Sequence, residues 1–195
     1  MIKFKTPVHH WNYFLAIEKD LENISRYIEF SEANMKTYSI ELTHILISAS
    51  SEVDVIMKQL CKMVSPTNQQ TICIDQYRTV IQTHLNCFLE EEVSIDRYRL
   101  AFKPWDNWKG SLNPDWWKGY NNVKHERNAY FEDANLKNAI NAVGALLLTV
   151  SYYYKFAFSE ENGEKINFRD TTQYLQPEAS FLRMDTNYYN SYLIV

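Results

Sequence analysis

Glycine is scarce. Four glycines in 195 residues are too few for a fold built on many tight turns. Neither GxGxxG nor a GxxxxGK run ending in Ser or Thr is present to cradle a phosphate. Cysteine is thin as well. Cys61, Cys73 and Cys87 are odd in number and widely spaced. His84 and Cys87 have H-x-x-C spacing, but without a paired CxxC knuckle the expectation is buried free thiols, not a zinc set. Positive charge is in deficit, with 20 Lys and Arg against 24 Asp and Glu. A broad surface for duplex DNA is therefore not expected, while a local basic patch stays open. No apolar run reaches the roughly 20 residues of a membrane span. No secretory leader is evident at the N-terminus, so the expected setting is the reducing cytosol with no membrane partner.

What is plentiful is aromatic area. Aromatics are 15% of the chain and include fourteen tyrosines. Each tyrosine brings apolar surface with a polar tip, suited to a core shell or a contact face. Length and composition fit one globular domain with a sizeable core.

Hydrophobic spacing predicts helices along most of the chain. Phe14, Ile17, Leu21, Ile24 and Ile28 form a stripe over residues 11–30. His9 and His10 are adjacent, point to different sides of a helix, make a poor metal pair and receive no role. A second helix is expected over 37–64, ended by Ser65-Pro66-Thr67-Asn68. His44, Ser48 and Glu52 form a polar row beside its apolar face, with Glu52 at the border. Asp54 and Lys58 read as a solvated i, i+4 pair. A third helix is expected over 75–89, followed by the charge run Glu90-Glu91-Glu92. Residues 93–102 allow a short extended segment. The 103–112 loop carries Trp105 and Trp108, expected to tuck onto the body. A long helix from about 131–133 to 154 has small residues at Ala139, Ala142, Gly144 and Ala145, permitting close approach by another helix. The expected organisation is a bundle of about five helices over 1–158. An irregular C-terminal arm over 159–195 would then pack on the domain or on a partner subunit.

The chemistry concentrates in residues 113–130, N-P-D-W-W-K-G-Y-N-N-V-K-H-E-R-N-A-Y. Asn113 suits an N-cap, Pro114 the first helical position, and Asp115 the helix dipole. On a helical wheel Trp116, Tyr120, Val123 and Arg127 share one side. Trp117, Asn121, His125 and Asn128 share another, and Lys124 lies between. Asn121 and His125 at i, i+4 can reach each other or a common ligand. His125 then acts as acid/base or phosphate contact with Asn121 orienting it, or else both are satisfied structural residues. Arg127 reads as stacked on Trp116 or Tyr120, or paired to an acid.

The run Y-N-N-V-K-H resembles the signature of the HEPN superfamily, helical domains of prokaryotic toxins, phage-defence proteins and several RNases. In its common form that motif reads R-N-x-x-x-H. Asn121 and His125 match, and Tyr120 stands where the motif has its arginine. The order of helices over about 11–154 is also similar. The resemblance implies an all-α fold, a homodimer with two motifs facing one cleft, and metal-independent RNA cleavage without a cofactor. His125 would move the proton, and a cation would hold the phosphate. Tyr120 supplies no charge, so Lys124, or Arg127 across a dimer, would serve. Glu52 would be the acidic group contributed by an earlier helix. Two functions follow: a weak or conditional endoribonuclease in a defence or toxin–antitoxin system, or a non-catalytic HEPN-like module for RNA, a nucleotide or a protein partner such as an antitoxin. A third reading is a plain structural domain with residues 116–130 as core.

Overall fold

The computed structural model describes residues 7–66 and 73–184. The expected breakers Thr67 and Asn68 and residues 185–195 of the expected arm lie outside the described residues.

The apolar stripes become an all-α bundle with one small sheet. Helix α1 spans His9–Ile24, α2 Ile40–Val64, α3 Ile74–His84, α4 Asp115–Tyr130, α5 Leu136–Asn162 and α6 Phe168–Tyr174. Helices α2 and α5 form the central pair, with α1 against both and α4 across both. The second helix begins at Ile40, three residues later than its stripe suggested. The Ser39 hydroxyl caps it by accepting from Leu42 N at 3.1 Å, and Thr37 O is already committed to Leu136 N at 2.9 Å. Helix α1 ends at Ile24 instead of near Phe30. There the Ser25 hydroxyl takes the Glu22 carbonyl at 2.7 Å, occupying a C-terminal acceptor. Phe30 is still buried, stacked on Tyr98 with ring centres 5.0 Å apart.

The extended segment is a hairpin. Strands β1, Val93–Ile95, and β2, Leu100–Phe102, pair antiparallel, with Arg99 in the left-handed region (φ 51°) at the turn. Strand β3, Arg183–Met184, joins the other side of β1, giving the order β2-β1-β3. The small residues of α5 are buried as expected, but at Gly144 the close neighbour is not a helix. A Cβ there would lie 2.5 Å from a ring carbon of Phe102 and 3.3 Å from Pro104.

The last described segment is more regular than its sequence suggested. Helix α5 continues to Asn162, where Gly163 takes φ 72° as a left-handed cap. Helix α6 follows and packs on α5. Residues 175–184 then run as a strap over α1. Trp11 Nε1 donates to Pro177 O at 2.8 Å. The carboxylate of Glu18, a residue only 2% exposed, accepts three backbone N–H bonds, from Ser180 (3.1 Å), Phe181 (2.9 Å) and Leu182 (2.8 Å). Glu18 falls between Phe14 and Leu21 at spacings of four and three, so it sits inside the apolar stripe of α1.

The thiols differ from one another. Cys61 is buried, whereas Cys73 and Cys87 are exposed, which corrects the expectation of three buried thiols. Burial pushes the Cys61 thiol up from 9.0 to about 12. At pH 8, a thiol reagent should therefore modify Cys73 and Cys87 readily and Cys61 only after unfolding. The sign for stability follows. The unfolded thiol ionises from about pH 9, so the contribution from keeping Cys61 neutral is complete below that pH. It is lost as pH rises to about 12. Thiol counting on native and denatured protein checks the reactivity; three equally fast thiols would contradict it.

Candidate functional site

Helix α4 is two things in series. Its first half is an anchor. Trp116, Trp117, Tyr120 and Val123 are buried. Trp116 packs edge-on against Trp105 (5.1 Å) and Trp117 (5.7 Å), and its indole N–H donates to Pro104 O at 2.9 Å. Trp105 and Trp108, 4.2 Å apart, are fully buried, as the loop's two tryptophans predicted. Gly119 allows α4 to lie close to the start of α5. A Cβ there would meet Asn138 Nδ2 at 2.6 Å and Asp133 O at 3.3 Å.

The helix starts one residue later than expected. Pro114 is the N-cap, and Asn113 is spent elsewhere. Its side chain accepts from Arg78 Nη1 at 2.8 Å and donates to Asp75 Oδ1 at 3.1 Å, tying the loop to α3.

The second half is a solvent-facing head. Lys124, His125, Glu126, Arg127 and Asn128 are all exposed. Glu126 has φ −136° and ψ 47°, which are not helical values, so the helix kinks there. The kink explains Arg127. A continuous wheel puts it beside Trp116 and Tyr120, but the broken axis delivers it to solvent. Residues 123–129 together enclose an open concavity of about 390 Å³. Lys124, His125 and Arg127 offer donors to it and Glu126 adds one carboxylate. Among the described residues, the side chains of His125 and Arg127 have no hydrogen-bond or ion-pair partner.

The other expected site residues sit around this head in different ways. Tyr120, at the position of the motif's arginine, is 4% exposed. Its hydroxyl accepts from Lys124 Nζ at 3.1 Å, and the same ammonium lies 5.2 Å from the ring centre. Asn121 is half-buried and donates from Nδ2 to Trp117 O at 3.0 Å, so its amide is held by its own helix and not by His125.

No family model, curated protein or solved structure matches this chain.

Glu52 belongs to a second cluster, between α1, α2 and α5. Its Oε1 lies 2.5 Å from His10 Nδ1, with side-chain exposures of 14% and 20%. Gln59 Nε2 is 3.3 Å from His10 Nε2. The His10 ring meets Tyr153 edge-on at 5.2 Å, and its backbone N–H donates to the Tyr154 hydroxyl at 3.3 Å. Burial is the first cause pushing both phenols up, so they stay neutral across the ordinary pH range. His10 thus has partners that its sequence position did not suggest. His44, in the same polar row as Glu52, lies instead 3.8 Å from Glu41 on the surface. Asp54 and Lys58 do pair, and Asp54 also accepts from the buried Tyr77 hydroxyl at 3.0 Å, so that carboxylate braces α3 against α2. Among the described residues no three His, Cys, Asp or Glu side chains converge as a metal set, and no helix is long and apolar enough to cross a membrane.

Proposed function

We propose that this chain is a HEPN-like module that binds single-stranded RNA through the exposed head of α4 without cutting it. The observation that carries this is the division of labour within Tyr120–Arg127. His125 and Arg127 have no side-chain partner among the described residues and, with the Tyr120-bonded Lys124, line one concavity, while Tyr120 is buried and occupies the place of the motif's arginine. Two cations and an imidazole suit phosphate contact. Cleavage would need a fixed cation beside the histidine to hold the developing phosphate charge. The Lys124 ammonium is instead turned back onto Tyr120. In keeping with the resemblance, the module would act as a homodimer in a prokaryotic defence or toxin–antitoxin setting.

Fluorescence anisotropy with labelled single-stranded RNA tests this. Lys124→Ala combined with Arg127→Ala should weaken binding about tenfold, and the slope of log affinity against log salt should shrink by about 1.4 for two lost phosphate contacts. RNA recovered after incubation should be intact. Absence of binding at low salt would end the proposal.

A second reading is a weak or conditional endoribonuclease. It is favoured by His125 itself, exposed and without a partner, as a proton-transferring group would be. RNA cut by the wild type and left whole by His125→Ala would select it.

A further inference from the structure

A partly enclosed cavity of about 240 Å³ lies under the strap, away from the α4 head. Its walls include Trp11 of α1, Leu147 of α5, Leu175 and Met184. A cavity of roughly 150 Å³ already accepts benzene, so this one takes an aromatic ring with a short chain. Its polar lining is Ser151, Glu178 and Thr172, whose hydroxyl is already given to Arg169 O at 2.8 Å. Ser151 lines it from α5 and is only 2% exposed. Helical serines and threonines often return their hydroxyl to the carbonyl four residues back. On this same helix Thr149 does so to Ala145 O at 2.7 Å and Ser159 to Lys155 O at 2.6 Å. Ser151 does not, and among the described residues its hydroxyl has no partner at all. A hydroxyl with no protein partner in the wall of a cavity is available to an occupant that can hydrogen-bond. Glu178, on the strap, lines it as well, is exposed and lies in no ion pair among the described residues. Among the described residues no lysine or arginine lines the space.

The geometry points to a binding site for a small hydroxyaryl-alkylamine, with its ring between Trp11, Leu147 and Met184, its hydroxyl on Ser151 and its ammonium at Glu178. An acid of the same shape would meet the Glu178 carboxylate with like charge and be rejected. The strap that forms one wall is itself fixed by Trp11 and Glu18, so the site exists only while those bonds hold.

Calorimetric titration of the full chain with three probes tests this: tyramine, 2-phenylethylamine and 3-(4-hydroxyphenyl)propionate. Tyramine should bind measurably and 2-phenylethylamine about fivefold more weakly, for one lost neutral hydrogen bond. The propionate should not bind. Ser151→Ala should bring tyramine down to the affinity of 2-phenylethylamine and leave the latter unchanged. Glu178→Gln should weaken both amines. Circular dichroism melting establishes that each variant is folded, and the exposed Glu178 gives a second variant independent of the core. Binding of the propionate as strongly as tyramine, equal tyramine affinity in Ser151→Ala, or no heat from either amine with the wild type would each overturn the assignment.

Discussion

Glu18→Ala should destabilise the fold by about 3–5 kcal/mol, the largest single effect expected from a charged residue in this chain. The carboxylate accepts three backbone N–H bonds from 180–182 and is 2% exposed. A hydrogen bond to a charged group contributes about 1.5–3 kcal/mol, and each buried donor left unmet costs about 1–3 kcal/mol. Removing the carboxylate strands two buried donors, the Phe181 and Leu182 N–H groups, and takes the acceptor from the exposed Ser180. Glu18→Gln should cost less, about 1–3 kcal/mol, because one oxygen can still serve Phe181 and Leu182 while Ser180 loses its acceptor. Urea denaturation measures both. Limited trypsinolysis at Arg183 adds a local readout, since the strap should become cleavable before the bundle does. A loss below about 1 kcal/mol for Glu18→Ala, with the strap as protected as before, would show that the clasp adds little.

Trp116→Ala should cost about 3–5 kcal/mol, whereas His125→Ala, nine residues on in the same helix, should stay within about 0.5 kcal/mol. Trp116 is 2% exposed and held by Trp105, Trp117 and the Pro104 carbonyl. Truncation opens a cavity in a cluster of rings and leaves the Pro104 acceptor unmet. His125 is exposed and without a side-chain partner. The contrast has a functional use: His125→Ala, Lys124→Ala and Arg127→Ala can be interpreted as changes in binding, because their folds should be intact. Thermal melts of the four variants check it. A melt for His125→Ala as low as that of Trp116→Ala would place the histidine in the structural half of the helix.

Periodicity made the bundle legible. The stripes of α1, α2, α3 and α5 and the Trp105/Trp108 loop follow from spacing and burial cost, whereas residues 93–102 showed an extended segment but not that it folds back as a hairpin. Boundaries were less legible, because Ser25, Ser39 and Thr37 set them through single hydrogen bonds rather than through a pattern. On α4 the wheel placed Trp116, Tyr120 and Val123 correctly, but it placed Trp117 with the polar set although that ring is buried. It failed for Arg127 because one residue, Glu126, leaves helical geometry. Glu18 had a visible signal, a carboxylate inside an apolar stripe. The meeting of His10 with Glu52, and of Ser151 with the strap, depends on how helices cross, which no local pattern encodes.

The clasp at Glu18 also orders events in time. Its three bonds join residues 162 to 164 positions apart. During synthesis, α1 emerges early and its carboxylate stays hydrated until residue 182 is free of the ribosome. By then α1, α2 and α5 can already have met. The clasp is then a closing step, formed after the bundle and released before it, and its strength governs how long the finished protein stays shut more than how fast it assembles.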